Sequence, residues 1–487
     1  MKKAIVQFAS NSLHVAVTLE ILKDCENSNN QYFYYIWGSS TKYPGRASVY
    51  FESLRKLPPK KYLGIIKKAN RYTTYSSSLQ FNRNWVKSTT SKFMHKIEKV
   101  TNIEELKSLN HLDINPGPAL INEIATITKN IDFSVISNKK LLEVLIESYL
   151  EVYDATIKIL TNNQIDAIIL YNGRFFHERA VLDAAKFKNI HVEIYETIRN
   201  RYLIQSKGFH SRINNQKIMI DHWNEANMSD EQKIEIGSVY YKELRSDANP
   251  FKTNSRRDYL AEKPYFVYFS SSDDEYIGLG EEWEKNLGNQ INCVKKLQEI
   301  FDGQEKFELL IRLHPNLRNK SKEQKSAWGK VLQSKSTKII DEKSDISSYI
   351  LLDSAVGTIT FGSTMGLESA FAEKPSLTLA DCAYDLLGVV DKAKTWEEVE
   401  NWINYGYQIS ASEKKIRKAN SCIRGFFLAT AGTNFKYSVL NETGFGSWQA
   451  LTFNGIKLYS DNFLTYYQKI ISRIKFLRIK WMINNGK

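Results

Sequence analysis

The chain has 487 residues, of which 42% are hydrophobic and 25% are charged. This composition excludes a mainly disordered chain, and the length predicts two or more domains, because single cores rarely grow beyond ~250–300 residues. The net charge of +13 favours anionic partners (nucleotides, phosphate groups, nucleic acid or an acidic membrane surface), although a basic proteome would give the same excess. The four cysteines form no C-x-x-C pair and predict reduced thiols rather than a disulfide framework.

The N-terminal segment is typical of a strand rather than of a targeting signal. Two lysines precede an apolar run at 4–9 that is too short for the core of a signal peptide. A helix pattern at 14–24 and an aromatic strand pattern at 31–37 follow it. Because no stretch approaches the ~18 apolar residues of a membrane span, we expect a cytoplasmic protein.

Strand and helix patterns alternate in the first half of the chain. They predict a helix over 139–162, a strand over 166–174, a helix over RFFHERAVLDAAKFKN and a strand over 190–196. This order indicates a parallel sheet with crossover helices. Ser229 and Gln232 then predict a capping box for a helix over 230–246.

A second alternation follows a polar, unpatterned stretch. Its predicted strands are 265–270, 306–315, 337–341, 355–361 and 375–380, and its predicted helices are 289–301, 345–352, one from Thr364, 395–403 and 412–430. The predicted fold class is α/β, with two Rossmann-like domains facing a cleft and a C-terminal helical segment. The predicted divisions are 1–247, a linker at 248–264, 265–432 and 433–487; residues 40–135 give no clear pattern beyond a loop at 115–118.

Polar clusters stand where four of the predicted strands end. They are YNGRFFHER (171–179), SSSDDE (270–275), RLHPN (312–316) and FGSTMGLE (361–368). Ligands of doubly wound sheets bind beyond the carboxyl ends of the strands. We therefore expect these clusters to contribute to a ligand site.

The cluster FGSTMGLE has the features of a phosphate-binding turn. Gly362 allows a tight turn, Ser363 or Thr364 can cap the helix that follows, and the first N–H groups of that helix attract anions. Glu368, one turn further on, could accept hydrogen bonds from ribose hydroxyls. The alternative is an ordinary helix cap with a surface glutamate.

The cluster RLHPN predicts an anion site beside it. Arg312 and His314 alternate along an extended chain, so we expect both on one face, and Pro315 fixes the turn that follows. Ser271 and Ser272 could reach the same pocket through hydroxyl or backbone donors. The alternative is a structural histidine at a strand end.

The motifs SSSDDE, RLHPN and FGSTMGLESAFAEKPSL, in this order, resemble the C-terminal half of bacterial surface-polysaccharide glycosyltransferases of GT-B architecture. The capsule polysaccharide biosynthesis proteins are the nearest such group, and Kdo transferases and bacterial polysialyltransferases share a looser version. The segment YNGRFFHERAVLDAA resembles part of their N-terminal half. The resemblance covers 166–196 and 266–380.

The resemblance implies a glycosyltransferase with a nucleotide-activated donor, CMP-linked in some relatives, and a growing capsule polysaccharide, lipopolysaccharide or lipid-linked glycan as acceptor. It implies an inverting reaction, acceptor binding by 1–247 and donor binding by 265–432. By the same resemblance, His314, Ser363 and Thr364 would bind the nucleotide phosphate and Glu368 the nucleoside. The acidic D/E-D-G motif of the polysialyltransferases is not evident.

The triplet Asn172, Gly173 and Arg174 stands in the region comparable to that acidic motif, so we expect it to line the acceptor side of the cleft. Glycosyl transfer requires a base for the acceptor hydroxyl and a group that stabilises the leaving phosphate. The candidate bases, ranked with Glu196 first, are Glu196, His177, Glu178 and His14. For Glu196 the alternative is a surface salt bridge. Because the sequence has no D-x-D motif, we expect no metal and no other cofactor.

The C-terminal stretch 466–487 combines apolar residues at helical spacing with basic residues and no acidic ones. Such a helix can lie on an anionic membrane, which would place the protein at the inner face of the cytoplasmic membrane. The alternative is a terminal helix that packs across the two domains.

Three other functions stay open. A CDP-polyol phosphotransferase would share the His-Pro pair, and a sugar-nucleotide 2-epimerase would share the two-domain fold, although Ser-Thr-Met replaces the glycine-rich turn of the epimerases. A non-enzymatic nucleic-acid-binding protein would explain the charge. The sequence lacks RNP, zinc-finger and helix-turn-helix signatures, so we expect no nucleic-acid partner.

Overall fold

A computed structural model describes residues 1–8, 12–37, 43, 59–206, 211–246, 262–272, 277, 283, 287–331, 337–444, 447–458 and 474. The chain divides into two compact units. The first unit contains 1–128, 132–209 and 432–487, and the second unit contains 129–131 and 210–431.

The strands of the described chain are β1 (Lys2–Gln7), β2 (Gln31–Ile36), β3 (Thr74–Ser76), β4 (Ala167–Tyr171), β5 (His191–Ile198), β6 (Arg201–Gln205), β7 (Tyr265–Phe269), β8 (Glu308–Arg312), β9 (Thr337–Ile340), β10 (Gly357–Thr360), β11 (Ser376–Thr378), β12 (Asp391–Lys392), β13 (Thr433–Asn434), β14 (Ser438–Gly444), β15 (Ser447–Phe453) and β16 (Ile456–Lys457).

The α-helices of the described chain are α1 (Ser12–Asp24), α2 (Pro59–Ala69), α3 (Arg83–Ile97), α4 (Ile103–Lys107), α5 (Gly117–Thr128), α6 (Lys139–Asn163), α7 (Phe176–Phe187), α8 (Arg212–Glu225), α9 (Asp230–Leu244), α10 (Gln290–Asp302), α11 (Lys322–Val331), α12 (Ser348–Ser354), α13 (Met365–Phe371), α14 (Trp396–Asn401) and α15 (Ala411–Thr430). A 3₁₀ turn spans Pro315–Asn319, and a π-helical turn at Trp402–Gly406 continues α14.

The first unit is built on a mixed sheet with the strand order β13-β6-β5-β4-β1-β2-β3. The strands β1 to β5 run parallel, and β6 and β13 join as antiparallel strands at one edge. The residues of β4 from Ala167 to Leu170 are almost fully buried, as expected of a central parallel strand with helices on both faces. The direction of winding reverses between β1 and β4.

The second unit is built on a sheet with the strand order β12-β11-β10-β7-β8-β9, in which every pair is parallel. The central strand β7 is buried along its whole length, and Phe266 and Tyr268 lie in the core with Leu309, Ile311 and Ile359. The winding reverses between β7 and β10, so the loops that follow these strands diverge and leave a crevice.

The predicted α/β class, with two doubly wound sheets, is confirmed by these topologies. The capping box of Ser229 and Gln232 is also present at the start of α9. The helices α3 and α4 lie in the region that gave no clear pattern. The predicted loop at 115–118 is partly wrong, because α5 begins at Gly117, whose N–H donates to Asn115 Oδ1 at 3.2 Å.

The second unit begins near residue 210, whereas the sequence placed a boundary at 247. The reason is the packing of α8 and α9. Arg212, at the start of α8, forms a salt bridge with Asp385 at 2.7 Å, and α9 crosses α15 at a point where Gly237 faces Gly425. Both contacts are made within the second unit.

The C-terminal strands β14, β15 and β16 form a small antiparallel sheet that packs on α1 of the first unit. Glu20 of α1 is fully buried, and its carboxylate accepts hydrogen bonds from the backbone N–H groups of Lys436 and Tyr437 and from the Ser438 hydroxyl. Since a buried carboxylate must be compensated, these three donors explain how the segment is held on α1.

None of the described helices is long and apolar enough to cross a membrane. The predicted basic helix at 466–487 lies outside the described residues except for Ile474, and so does most of the predicted linker.

The glycine pair at the crossing of α9 and α15 should be sensitive to a single methyl group. A Cβ added at Gly425 would lie 2.0 Å from the carbonyl oxygen of Gly237, which is backbone and cannot move aside alone. We expect Gly425→Ala to lower the free energy of unfolding, measured by urea titration, by about 1–3 kcal/mol or more. The matched control is Gly329→Ala in α11, where nothing lies within 4 Å and alanine should be neutral or stabilise by up to about 1 kcal/mol. Equal effects of the two substitutions would contradict the close crossing.

Candidate functional site

Two serines connect the loops that follow β7, β8 and β10 in the second unit. The Ser270 Oγ accepts a hydrogen bond from the backbone N–H of His314 at 2.7 Å, which joins the loops after β7 and β8. The Ser271 hydroxyl donates to the carbonyl oxygen of Phe361 at 2.8 Å, which joins the loops after β7 and β10. Both serines are buried, so they hold three strand ends together at the point where the sheet reverses.

Gln290, the first residue of α10, fixes the same region and was not among the predicted residues. Its Oε1 accepts from the backbone N–H of Ser271 at 2.7 Å and from the Tyr268 hydroxyl at 3.1 Å, and its Nε2 donates to the carbonyl oxygen of Ser271 at 3.2 Å. The side chain therefore pairs with the backbone of Ser271 as a neighbouring strand would. No short motif marks an isolated glutamine of this kind.

His314 begins the 3₁₀ turn after β8, and its ring is oriented by that turn. The Nδ1 atom accepts a hydrogen bond from the backbone N–H of Asn316 at 3.2 Å. In the neutral imidazole the proton is then carried by Nε2, which makes this atom a donor.

His314 lines a pocket of about 340 Å³, including its open mouth, which we call the His314 pocket. Its other lining residues are Ile131, Ser270, Ser271, Ser272, Leu317, Lys320, Gln324 and Trp328. The predicted residues Ser271, Ser272 and His314 are thus brought together in one pocket.

Arg312 does not join this pocket, although the alternation of residues predicted that it would share a face with His314. Its guanidinium donates to the carbonyl oxygens of Asp341 and, at 3.2 Å, Ser344, which lie beyond β9. Burial lowers the pKa of this arginine. Strand β8 ends at Arg312, whereas His314 immediately precedes the 3₁₀ turn at Pro315–Asn319 and is oriented by that turn.

The segment Gly362 to Thr364 forms a tight turn between β10 and α13. Gly362 has a φ of 82°, a left-handed conformation that glycine adopts without strain. The carbonyl oxygen of Ser363 accepts from the backbone N–H of Gly366 at 3.0 Å and from the Tyr384 hydroxyl. The Ser363 Oγ accepts from the N–H of Met365 at 3.4 Å, while Thr364, at the N-cap position, makes no side-chain cap.

Glu368 is buried rather than on the surface, so the surface alternative considered from the sequence is wrong. Its carboxylate accepts hydrogen bonds from the Tyr349 hydroxyl at 2.7 Å and from the Thr364 hydroxyl at 3.3 Å. Burial raises the pKa of this glutamate. Both oxygens already have protein partners, and any ribose contact would have to share or displace them.

In the first unit, Asn172 and Gly173 form a turn at the end of β4. This turn brings the side chain of Asn172 to the neighbouring strand β5. Both residues have positive φ, 57° and 78°, and the Asn172 Oδ1 accepts from the backbone N–H of Arg174 at 3.1 Å. The Asn172 amide nitrogen donates to the carboxylate of Glu196 on β5. The Asn-Gly pair therefore holds the first-ranked candidate base.

Glu196 has a pKa raised to about 7, because burial disfavours its charged form more than its hydrogen-bond donors favour it. The donors are Asn172, the backbone N–H of Thr197 and the Tyr171 hydroxyl, and Arg174 adds an attractive charge. The residue is partly exposed at the end of the sheet. A partly exposed carboxylate with this pKa can accept a proton near neutral pH.

The other candidate bases lie around the same strand ends. The ring of His14 contacts that of Tyr171 with 3.9 Å between their centroids, and the ring of His177 stacks on Phe8 at 5.0 Å. Burial lowers the pKa of both histidines to about 3. Glu178 is buried, and desolvation together with the charge of Glu123 raises its pKa to about 8.

These pKa values distinguish the four candidate bases by their ability to accept a proton near pH 7. A general base works best when its pKa lies near the operating pH, so a histidine with a pKa of about 3 is too weak a base at pH 7. Glu178 has a suitable pKa, but it is only 5% exposed. Glu196 combines the suitable pKa with partial exposure, so it stays the first candidate.

Within the described residues, no three His, Cys, Asp or Glu side chains are grouped closely enough to hold a metal ion.

The second unit is an α/β unit with a pocket at the carboxyl ends of its parallel strands. Residues 224–415, about two-fifths of the chain, match the family model described as "Capsule polysaccharide biosynthesis protein". This match lies in the part of the chain that carries the quoted motifs, so the resemblance predicted from them is confirmed. No curated protein sequence matches the chain significantly.

Several solved structures are distantly similar to the chain. One is the beta Kdo 2,4 transferase of Thermosulfurimonas dismutans KpsC, with 12% identity, a TM-score of 0.34 and coverage of 53% of this chain and 79% of that chain. The beta Kdo 2,7 transferase of the same protein has 11% identity, a TM-score of 0.33 and coverage of 55% and 79%. The S. aureus MnaA–UDP co-structure has 10% identity, a TM-score of 0.27 and coverage of 98% and 97%.

The pairing of Gln290 with Ser271 should be a large contributor to the stability of the second unit. In Gln290→Met the buried N–H and C=O of Ser271 lose their partners, and we expect the free energy of unfolding to fall by roughly 2–5 kcal/mol. The matched control is Gln298→Met in the same helix, because Gln298 is also buried and its Nε2 has no hydrogen-bond partner. Urea unfolding in which both variants behave alike would show that the pairing is unimportant.

Proposed function

We propose that the protein is a glycosyltransferase of surface-polysaccharide assembly. It transfers a sugar from a nucleotide-activated donor to a growing polysaccharide or lipid-linked glycan. The second unit binds the donor and the first unit supplies the base. The transfer is inverting and needs no metal ion.

One observation carries this proposal. His314, which the family resemblance assigns to donor binding, lines one pocket with Ser270, Ser271 and Ser272 at the carboxyl ends of β7 and β8, beside the reversal point of an all-parallel sheet. That point is where doubly wound sheets bind nucleotides. The same residues lie inside the segment that matches the capsule polysaccharide family.

In the donor half of the reaction, the Nε2–H of His314 donates to the phosphate that links nucleotide and sugar. This donor strengthens its interaction as negative charge grows on the departing phosphate. Its orientation is set before the substrate binds, because Asn316 holds Nδ1 and Ser270 holds the backbone N–H. Glu368 and the turn at Gly362 contact the nucleoside side of the donor.

In the acceptor half, Glu196 removes the proton from the attacking hydroxyl. Asn172 orients the carboxylate, and the Tyr171 hydroxyl donates to it as well. Deprotonation lets the acceptor oxygen attack the anomeric carbon from the side opposite the phosphate, and this inverts the configuration.

A nucleotide panel tests the donor half. We expect one of CMP, CDP, UDP, GDP and dTDP to raise the melting temperature selectively, since a ligand at 100 times its Kd stabilises by about 2.7 kcal/mol. CMP is the first to test, because of the resemblance to enzymes with CMP-linked donors. Stabilisation only by polynucleotide, weakened steeply by salt, would instead support a nucleic-acid-binding protein.

Two substitutions of His314 separate its binding role from its structural one. An asparagine oxygen can replace Nδ1 as the acceptor for the N–H of Asn316, so we expect His314→Asn to keep the melting temperature of the wild type. Nε2 is lost in both His314→Asn and His314→Ala, and we expect the transfer rate to fall about 10²–10³-fold, with weaker nucleotide binding. Transfer in the presence of EDTA should be unchanged. If His314→Asn retains full transfer, this histidine has no role in the reaction.

The pH profile tests the base. Glu196 accepts a proton only in its charged form, so transfer should rise as pH increases through about 7 and then level off. Glu196→Gln should lower the rate about 10²–10⁴-fold on the plateau above pH 7, and by less at lower pH, where the wild-type carboxylate is itself protonated. Asn172→Gly keeps the left-handed backbone but removes a donor that favours the charged carboxylate, so the midpoint should move to higher pH. A midpoint that does not move in Asn172→Gly would argue against Glu196 as the titrating base.

A further inference from the structure

The His314 pocket is lined by more residues than the strand-end serines and His314. Beyond His314 it is walled by Ile131, Leu317 and Trp328. The strand-end serines form only one side of it, so the pocket has a part that phosphate binding does not explain.

Gln324, on α11, supplies a polar group to that part. Its side chain is only 4% exposed, and its Oε1 has no hydrogen-bond partner among the residues that the structure describes. Its backbone N–H donates to Ser321 Oγ at 3.2 Å, so the start of the helix is properly capped and only the side chain is unsatisfied. An unsatisfied buried carbonyl destabilises the fold, and a bound hydroxyl or N–H group would remove that cost.

Three residues that line the pocket offer three different kinds of contact. Lys320, Gln324 and Trp328 follow one another at intervals of four residues and all line it. They present a cation, a hydrogen-bond acceptor and an aromatic surface. A sugar ring suits this combination, because its hydroxyls donate to an amide oxygen and its C–H faces pack against an indole.

The strand order indicates which part of the donor reaches this pocket. Glu368 follows β10, on one side of β7, whereas His314 and α11 follow β8, on the other side. With the phosphate at His314 and the nucleoside towards Glu368, the sugar extends in the opposite direction. We propose that the part of the His314 pocket around Gln324 binds the transferred sugar of the donor, with a sugar hydroxyl donating to Gln324 Oε1. This assignment rests on the proposed function.

The test compares a nucleotide with its sugar conjugate on the full-length chain. Isothermal titration calorimetry is run with CMP and CMP-N-acetylneuraminate, and with UDP and UDP-glucose, on the wild type, Gln324→Met and Gln298→Met. We expect Gln324→Met to lower affinity for the sugar conjugate about tenfold and to leave affinity for the nucleotide alone within twofold. Gln298→Met, which changes a buried glutamine outside the pocket, should bind both ligands as the wild type does.

Thermal unfolding checks that Gln324→Met does not lose affinity merely because its fold is destabilised. Gln324→Met removes an unsatisfied carbonyl, so its melting temperature should equal or exceed that of the wild type, and a large decrease would contradict the unsatisfied state. An equal loss of affinity for nucleotide and conjugate would show that the pocket binds the nucleotide, and no loss for either would show that it binds no part of the donor. A wild type that binds none of CMP, CDP, UDP, GDP and dTDP overturns the proposed function itself, whereas normal nucleotide binding without discrimination overturns only the sugar subsite.

Discussion

The constraint on which the second unit depends is that an all-parallel sheet delivers every strand end to one edge. Three loops therefore leave β7, β8 and β10 side by side, and each exposes backbone N–H and C=O groups that no further strand can satisfy. The side chains of Ser270, Ser271 and Gln290 satisfy several of these groups. The strand ends are thus fixed by side-chain hydrogen bonds, and the position of His314 follows from them.

The residues of the sequence motifs have two different roles, one structural and one in lining the pocket. Much of the polar chemistry in SSSDDE, RLHPN and FGSTMGLE holds the protein together: Arg312 donates to backbone carbonyls, and Glu368 accepts from Tyr349 and Thr364. His314 differs, because its Nδ1 accepts a hydrogen bond within the turn after β8 and its ring also lines a pocket. A motif can therefore identify a family while most of its letters serve the loop geometry and few of them contact the ligand.

The elements that the sequence predicted well are those with strong periodicity. The helix at 139–162 and the buried strands around Ile168 and Tyr268 were placed within about three residues, because long apolar patterns have few alternatives. The short strands β12 and β13 have no pattern of their own, and tertiary pairing alone defines them. Gln290 and Gln324 could not be found from the sequence, since the importance of each depends on a backbone or pocket that only the folded chain brings near it.

The candidate site of the first unit shows why burial favours a carboxylate over a histidine as the base. Removal from water disfavours charge, so it lowers the pKa of His14 and His177 and raises that of Glu178 and Glu196. The same strand-end environment thus weakens its histidines as bases and strengthens its glutamates. Hydrogen bonds from Asn172 and Tyr171 limit the rise for Glu196 and keep its pKa at about 7 rather than higher. For Glu196, the proposed base, the working pH then follows from two opposing effects: its withdrawal from solvent, and the hydrogen bond that the Asn-Gly turn after β4 brings to its carboxylate.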